Sequence, residues 1–175
     1  SVIGGIHDHI TGAYLLTHDN VFLPTHVAMD VLSSIKYEGD LPPVREENGQ
    51  EGYSGSDIFS LLVKGGFSLN FKNRAGEDVT VASNEGSVSG AIDKRGIGAE
   101  DGRLLDAVVQ THGTDEGADF INKMTKMTIA ICTAMGFTTG IDDEDLPPEA
   151  KDEIARINAV ASANVDAELE KFGKD

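Results

Sequence analysis

Between Phe120 and Pro148 the chain passes from one long apolar helix, through a glycine-punctuated acidic turn, into a second helix that starts on proline. Phe120, Ile121, Met124, Met127, Ile131, Ala134 and Met135 recur at helical spacing, which predicts a helix of about twenty residues, apolar enough to form the core. Gly136 and Gly140 interrupt the pattern, Asp142-Asp143-Glu144-Asp145 supply the turn, and Pro147-Pro148 opens a helix that runs to Phe172. The stripe of that last helix is Ala150, Ile154, Ile157, Ala161, Val165, Leu169 and Phe172, narrow and rich in alanine. Such a stripe suits one partner helix, and the expected partner is the returning arm of a helical hairpin lying beyond Asp175.

Ahead of this junction the hydrophobic period changes twice. Ile6, Ile10, Tyr14 and Leu15 predict a helix within residues 5–17, and Val27, Met29, Val31 and Leu32 a second over 25–35. Residues 37–56, with Pro42-Pro43, several glycines and acidic residues, read as an extended surface connection. A brief helix restarts at Ser56. From Phe67 to Gly98 the period becomes two: Phe67, Leu69 and Phe71, then Val79 and Val81, then Val88, then Ala91-Ile92. Turns at Asn73-Arg74-Ala75-Gly76 and Asn84-Glu85-Gly86 make this a small antiparallel sheet. Leu104, Leu105, Ala107, Val108 and Val109 return to helical spacing. The predicted class is α+β: helices flanking a small antiparallel sheet, with a long C-terminal helix as one arm of a truncated hairpin.

Charge limits what such a chain can bind. With 30 acidic against 14 basic residues, a net charge of −16 rules against binding nucleic acid through its general surface, so any polyanion contact is local. The same acidity suits a solvated surface in concentrated salt, where screening removes self-repulsion, and a halophilic source is expected. The hydrophobic fraction of 39% supports a real core. The single cysteine, Cys132, can form no internal disulfide, which fits a reducing cytoplasm, and its apolar surroundings suggest a buried small hydrophobe. No stretch reaches the roughly 18 consecutive apolar residues of a membrane span, so a cytoplasmic chain with no membrane partner is expected.

Three groups could carry chemistry. His7-Asp8-His9 offers metal-ligand types, but residues two apart on a helix do not face one another, and His18, His26 and His112 complete no metal pattern; a packed helix is the structural alternative. Asp142 to Asp145 could hold a hard cation, though the run lacks the alternate spacing of a calcium loop, and acidic residues before a helix are favoured by capping and the dipole. In Gly90-Ala91-Ile92-Asp93-Lys94-Arg95-Gly96-Ile97-Gly98 two cations meet between glycines. A loop carrying Lys94 and Arg95 could hold a phosphate or an RNA backbone; ordinary surface charge is the alternative. Neither a phosphate-binding loop nor a hydrolase triad can be argued from the spacing. A small metal hydrolase built on His7 and His9 remains as a third reading.

Five landmarks in order resemble the largest subunit of multi-subunit DNA-directed RNA polymerases, in its archaeal form. They are the helix Gly4-Gly5-Ile6-His7-Asp8-His9 through Thr17, the helix start Leu23-Pro24-Thr25-His26, Tyr53-Ser54-Gly55, Ser89-Gly90-Ala91-Ile92-Asp93-Lys94-Arg95, and the turn from Gly136 to Asp143. The departure is Tyr53-Ser54-Gly55-Ser56-Asp57, where the family usually has Trp-Ser/Thr-Gly-Lys-Gln. The resemblance implies that residues 1–140 form the pore region and 141–175 the first arm of the funnel. It also implies an excised piece, since Ser1 would lie in mid-chain.

Membership of such a family would give the chain a part in DNA-templated RNA synthesis. By the same resemblance, Lys94, Arg95, Gly140, Asp142 and Asp143 would line the route of entering nucleoside triphosphates and of the extruded RNA 3′ end. The intact nucleotidyltransferase would use Mg²⁺ held by an Asn-Ala-Asp-Phe-Asp-Gly-Asp motif absent from this sequence, so the chain alone should be inactive and carries no cofactor of its own. Implied partners are the other polymerase subunits, DNA template, RNA, nucleoside triphosphates and a transcript-cleavage factor at the funnel. The competing class is a free-standing acidic binding module that docks a partner helix on Ile154, Ile157, Val165 and Leu169.

Overall fold

The computed structural model describes residues 3–82, 86–138, 140 and 147–172. The chain divides into two compact units, Ser1–Phe137 and Thr138–Asp175. Among the described residues the first unit holds helices α1 (Asp8–Thr17), α2 (Thr25–Ser34), α3 (Gly55–Ser60), α4 (Lys94–Ile97), α5 (Arg103–His112) and α6 (Thr114–Met135). Its strands are β1 (Phe22–Pro24), β2 (Arg45–Glu47), β3 (Gln50–Ser54), β4 (Leu69–Lys72), β5 (Asp78–Val81) and β6 (Val88–Ser89). The second unit holds α7 (Pro148–Phe172). The α+β class is observed, with two small sheets rather than one.

α6 is the central element of the first unit, packing on α1, α2 and α5. Phe120, Met124, Met127, Thr128 and Ile131 make its buried face, close to the stripe the spacing predicts, although Met135 is exposed. The buried face of α1 departs from expectation. Gly12, Ala13, Leu16 and Thr17 are buried, while Ile6 precedes the helix and is 55% exposed, and Tyr14 is 41% exposed. Small residues win because α1 lies very close to α6: a Cβ on Gly12 would stand 2.8 Å from the Thr128 Cβ and nearer still to the Thr128 carbonyl oxygen. Of the larger α1 side chains, only Leu16 is buried with them.

The surface connection expected over 37–56 contains a β-hairpin. β3 lies between β1 and β2, both antiparallel to it, with Leu23 opposite Tyr53 and Glu46 opposite Glu51. The two-residue loop Asn48-Gly49 has φ of 51° and 76°, the left-handed pair of a type I′ turn. The second sheet runs β4-β5-β6, antiparallel throughout, with Phe71 opposite Val79 and Val81 opposite Val88. Its first turn falls at the predicted Asn73 to Gly76, where the buried Asn73 side chain accepts from Glu77 N at 2.9 Å and donates to the Glu77 carboxylate at 2.7 Å. Asn84 and Glu85 of the predicted second turn lie outside the described residues. Ala91 and Ile92 are buried but belong to no strand.

Thr17 joins the two halves of this unit. Its hydroxyl donates to Ala13 O at 2.7 Å and accepts from Ile92 N at 2.7 Å, and its carbonyl accepts from the Ser56 hydroxyl at 3.3 Å. The segment leading into α4 is thereby tied to the end of α1.

Replacing Gly12 with Ala is expected to destabilise the fold by about 1–3 kcal/mol, the cost of overpacking at a backbone contact. That outweighs the roughly 1 kcal/mol alanine gains over glycine inside a helix. Urea unfolding of both chains measures the difference, and a stabilised variant would contradict the close approach.

Candidate functional site

The two cations singled out in the sequence stand on a short helix rather than a flexible loop. Asp93 caps α4: one carboxylate oxygen accepts from Arg95 N at 2.8 Å, and the other accepts from Arg74 N, in the β4–β5 turn, at 2.6 Å. One side chain therefore clamps the sheet turn to the helix that carries Lys94 and Arg95. Ile97 is fully buried, and its carbonyl accepts from Gly5 N at 2.6 Å, where Gly5 and Gly98 form a parallel bridge. A Cβ on Gly4 would meet Ala99 N at 2.5 Å, so the residues before α1 can lie against the end of α4 only as glycine.

Adjacent in sequence, Lys94 and Arg95 diverge in space, as residues about 100° apart around a helix must. The Lys94 ammonium stands 3.5 Å from Glu100 Oε2, and Lys94 lines a recess of about 290 Å³ with Gly5, Ile6, His7, Ile10, Ala99 and Glu100. Arg95 is exposed and turns toward the sheet, donating to Lys72 O at 3.2 Å. Lys72 itself pairs with Asp78 at 3.0 Å. These pairs are largely exposed, a setting in which each contributes about 1 kcal/mol or less, so an incoming anion can exchange for the carboxylates.

His7, which the sequence places on a packed helix, lines the same recess from just before α1. It caps that helix with φ 46° and ψ −117°, a conformation that costs a residue with a Cβ on the order of 1–3 kcal/mol. Other histidines serve local packing: His18 stacks on Tyr14 with ring centroids 4.9 Å apart, and His112 meets Phe67 edge-on at 6.3 Å. His9 Nδ1 and His112 Nε2 are buried with no hydrogen-bond partner among the described residues. No group of three or more metal-ligating side chains occurs among the described residues.

Gly140 is exposed, outside any regular element, and Asp142 and Asp143 lie outside the described residues. On α7, taken by itself, Ile154, Ile157, Val165 and Leu169 are all exposed, from 43% to 62%. There the Arg156 guanidinium grips Glu153 through two hydrogen bonds of 2.7 and 2.6 Å, which holds that carboxyl below its ordinary value. At the departure from the family pattern, Ser54 caps α3, Ser56 is buried and Asp57 pairs with Arg45 at 3.4 Å. Cys132 is half-buried rather than buried; desolvation, then the Asp8 carboxylate, pushes its thiol above the ordinary range. No helix among the described residues is long and apolar enough to cross a membrane.

The family model described as RNA polymerase Rpb1, domain 3, matches residues 1–144. The chain belongs to that family. Among its relatives, DNA-directed RNA polymerase subunit Rpo1N of Methanocaldococcus jannaschii is 38% identical over 185 residues, covering 98% of this chain and 14% of the relative. The subunit of the same name from Thermococcus celer is 35% identical over 202 residues, covering 98% of this chain and 22% of the relative. That of Halobacterium salinarum is 31% identical over 156 residues, covering 88% and 16%. The chain thus spans between 14% and 22% of the length of these archaeal relatives. Lys94, Arg95 and the Asp93 cap all fall inside the part matched by the Rpb1 domain 3 model.

Asp93 carries the site's rigidity, so Asp93→Ala is expected to cost about 1–2 kcal/mol through the lost cap, while Asp93→Asn, which can still accept, costs a few tenths. Chemical unfolding, read beside amide exchange at Arg74 and Arg95, checks this. Unchanged protection at both amides in the Ala variant would remove the clamp.

Proposed function

We propose that this Rpb1 domain 3 chain forms, over residues 1–140, the pore wall of an archaeal RNA polymerase largest subunit and, over residues 141–175, the first arm of its funnel. The observation that carries the reading is a pair of cations held on a capped helix in a chain of net charge −16. Family membership supports it, as do archaeal relatives named as polymerase subunits that match nearly the whole chain.

In the intact enzyme, joining a nucleoside triphosphate to RNA on a DNA template draws on Mg²⁺, which activates the 3′-hydroxyl and stabilises the pyrophosphate leaving group. The Asn-Ala-Asp-Phe-Asp-Gly-Asp motif that holds this ion is not in these residues. What this chain contributes is the approach: Lys94 and Arg95 attract phosphate locally, and the lining of the same route is further assigned to Gly140, Asp142 and Asp143, the last two outside the described residues. Acidic surroundings do not defeat that role, because triphosphates travel with Mg²⁺ and concentrated salt shortens the reach of repulsion to a few ångströms. A halophilic source fits the same charge balance.

The exposed stripe on α7, with Ile154, Ile157, Val165 and Leu169 at helical spacing, fits a partner helix completing the funnel, where a transcript-cleavage factor would bear. The same stripe favours the second reading, a separate acidic module that binds a partner helix. Other polymerase subunits, template, RNA and nucleotide are partners of the first reading alone.

In reconstituted polymerase, replacing Lys94 and Arg95 together with Ala is expected to slow cleavage of backtracked RNA roughly tenfold, the scale of losing charge-assisted contacts to phosphate, with assembly nearly intact. Gel analysis of backtracked complexes reads the rate, and cleavage at the unmodified rate would take both residues out of the site.

A further inference from the structure

The backbone at His7 asks for glycine. A φ of 46° with ψ of −117° is the mirror image of extended backbone, open to glycine and strained for any residue with a Cβ. His9 N donates to Ile6 O at 3.0 Å and closes the turn, with His7 at the position that glycine dominates in a type II′ turn. The core gives no reason for an imidazole here, because His7 is exposed and its ring makes no hydrogen bond among the described residues. Strain of this kind is held by the surrounding structure and clusters at functional sites.

What the turn achieves is to place His7 on the wall of the recess that Lys94 lines. The two residues come from distant parts of the chain, and the Gly5 to Ile97 hydrogen bond with the Gly5–Gly98 bridge fixes their relation. Both can donate a hydrogen bond, one as a cation. The single carboxylate at the recess, Glu100, is 83% exposed and only 3.5 Å from the Lys94 ammonium, so it is easily displaced. Arg95 does not line this recess; its guanidinium donates to the Lys72 carbonyl.

We propose that His7 and Lys94 form one phosphate-binding recess, with the Lys94 ammonium supplying charge and the His7 imidazole N–H a directed hydrogen bond. The strained turn is what holds the imidazole in place. The inference deepens the reading of the α4 face as part of the nucleotide and RNA route, and rests on it. A phosphate could arrive on a free nucleoside triphosphate or on RNA, and the recess chemistry serves either.

Calorimetric titration of the 175-residue chain with tripolyphosphate at low ionic strength tests it, alongside urea unfolding. His7→Gly relieves the backbone and removes the ring, so it should raise the urea midpoint while weakening tripolyphosphate binding roughly tenfold, the scale of one lost hydrogen bond to a charged group. Lys94→Met should weaken binding by at least about as much, and Lys123→Met, which removes a cation on α6 paired with Asp119 and away from the recess, by no more than about twofold. A purely structural His7 would leave affinity unmoved whatever happened to the midpoint. If His7→Gly binds as the unmodified chain does while Lys94→Met does not, the role of His7 falls and the reading of Lys94 stands. If Lys94→Met binds unchanged, or the unmodified chain shows no binding, both fall. Tighter binding of ATP than of a 5′-phosphorylated RNA trinucleotide would assign the recess to free nucleotide, the reverse order to RNA; either order supports the recess.

Discussion

The first unit depends on how closely α1 approaches α6. Gly12 permits a separation at which backbone meets backbone, and around that contact Ala13, Leu16, Met124, Met127 and Ile131 are all fully buried. Dispersion and apolar burial are strongest where no voids remain, and this pair of helices achieves that with small residues on one side and long, adaptable ones on the other. The consequences extend beyond the pair. Because α1 is fixed, Thr17 at its last turn is fixed, and the Thr17 hydroxyl holds Ile92 N one residue before the Asp93 cap. The candidate site is thus positioned by a chain of contacts that starts in a helix packing seam.

That chain of contacts separates the features legible in the sequence from those that are not. α6 and α7 show themselves through long helical periods and glycine or proline punctuation, signals that local physics dictates. The buried face of α1 escapes such a reading because the larger residues Ile6, Ile10, Tyr14 and Leu15 share a plausible stripe, whereas the buried side is marked by glycine and alanine. A close-packed seam selects for small volume, which a hydrophobicity pattern cannot register. The β2–β3 hairpin does carry a sequence signal, since Asn48-Gly49 is a strong two-residue turn pair, but glutamates at 46, 47 and 51 hide the strand alternation around it.

At the candidate site, the residue types are visible in the sequence and their geometry is not. Lys94 and Arg95 stand out between glycines, and Asp93 ahead of them reads as a helix cap once the helix is known. Their divergence, one toward a recess and the other toward a sheet edge, needs three dimensions. By sequence alone His7 is one member of a weak metal motif. Its positive φ, invisible at that level, separates it from the other histidines, and the fold places it beside Lys94. In so acidic a chain a few fixed cations define a location because neutralising contacts around them are exposed and weak.

The central claim is that the α4 edge of this chain faces the path of nucleotide and RNA. A photocrosslink from 4-thiouridine at the RNA 3′ end of a backtracked polymerase carrying this segment would test it most directly, with the attachment site mapped by mass spectrometry. The account predicts attachment within residues 5–10 or 94–100, the two segments that line the recess. Attachment confined to the β2–β3 hairpin, or to no residue of this chain, would contradict it.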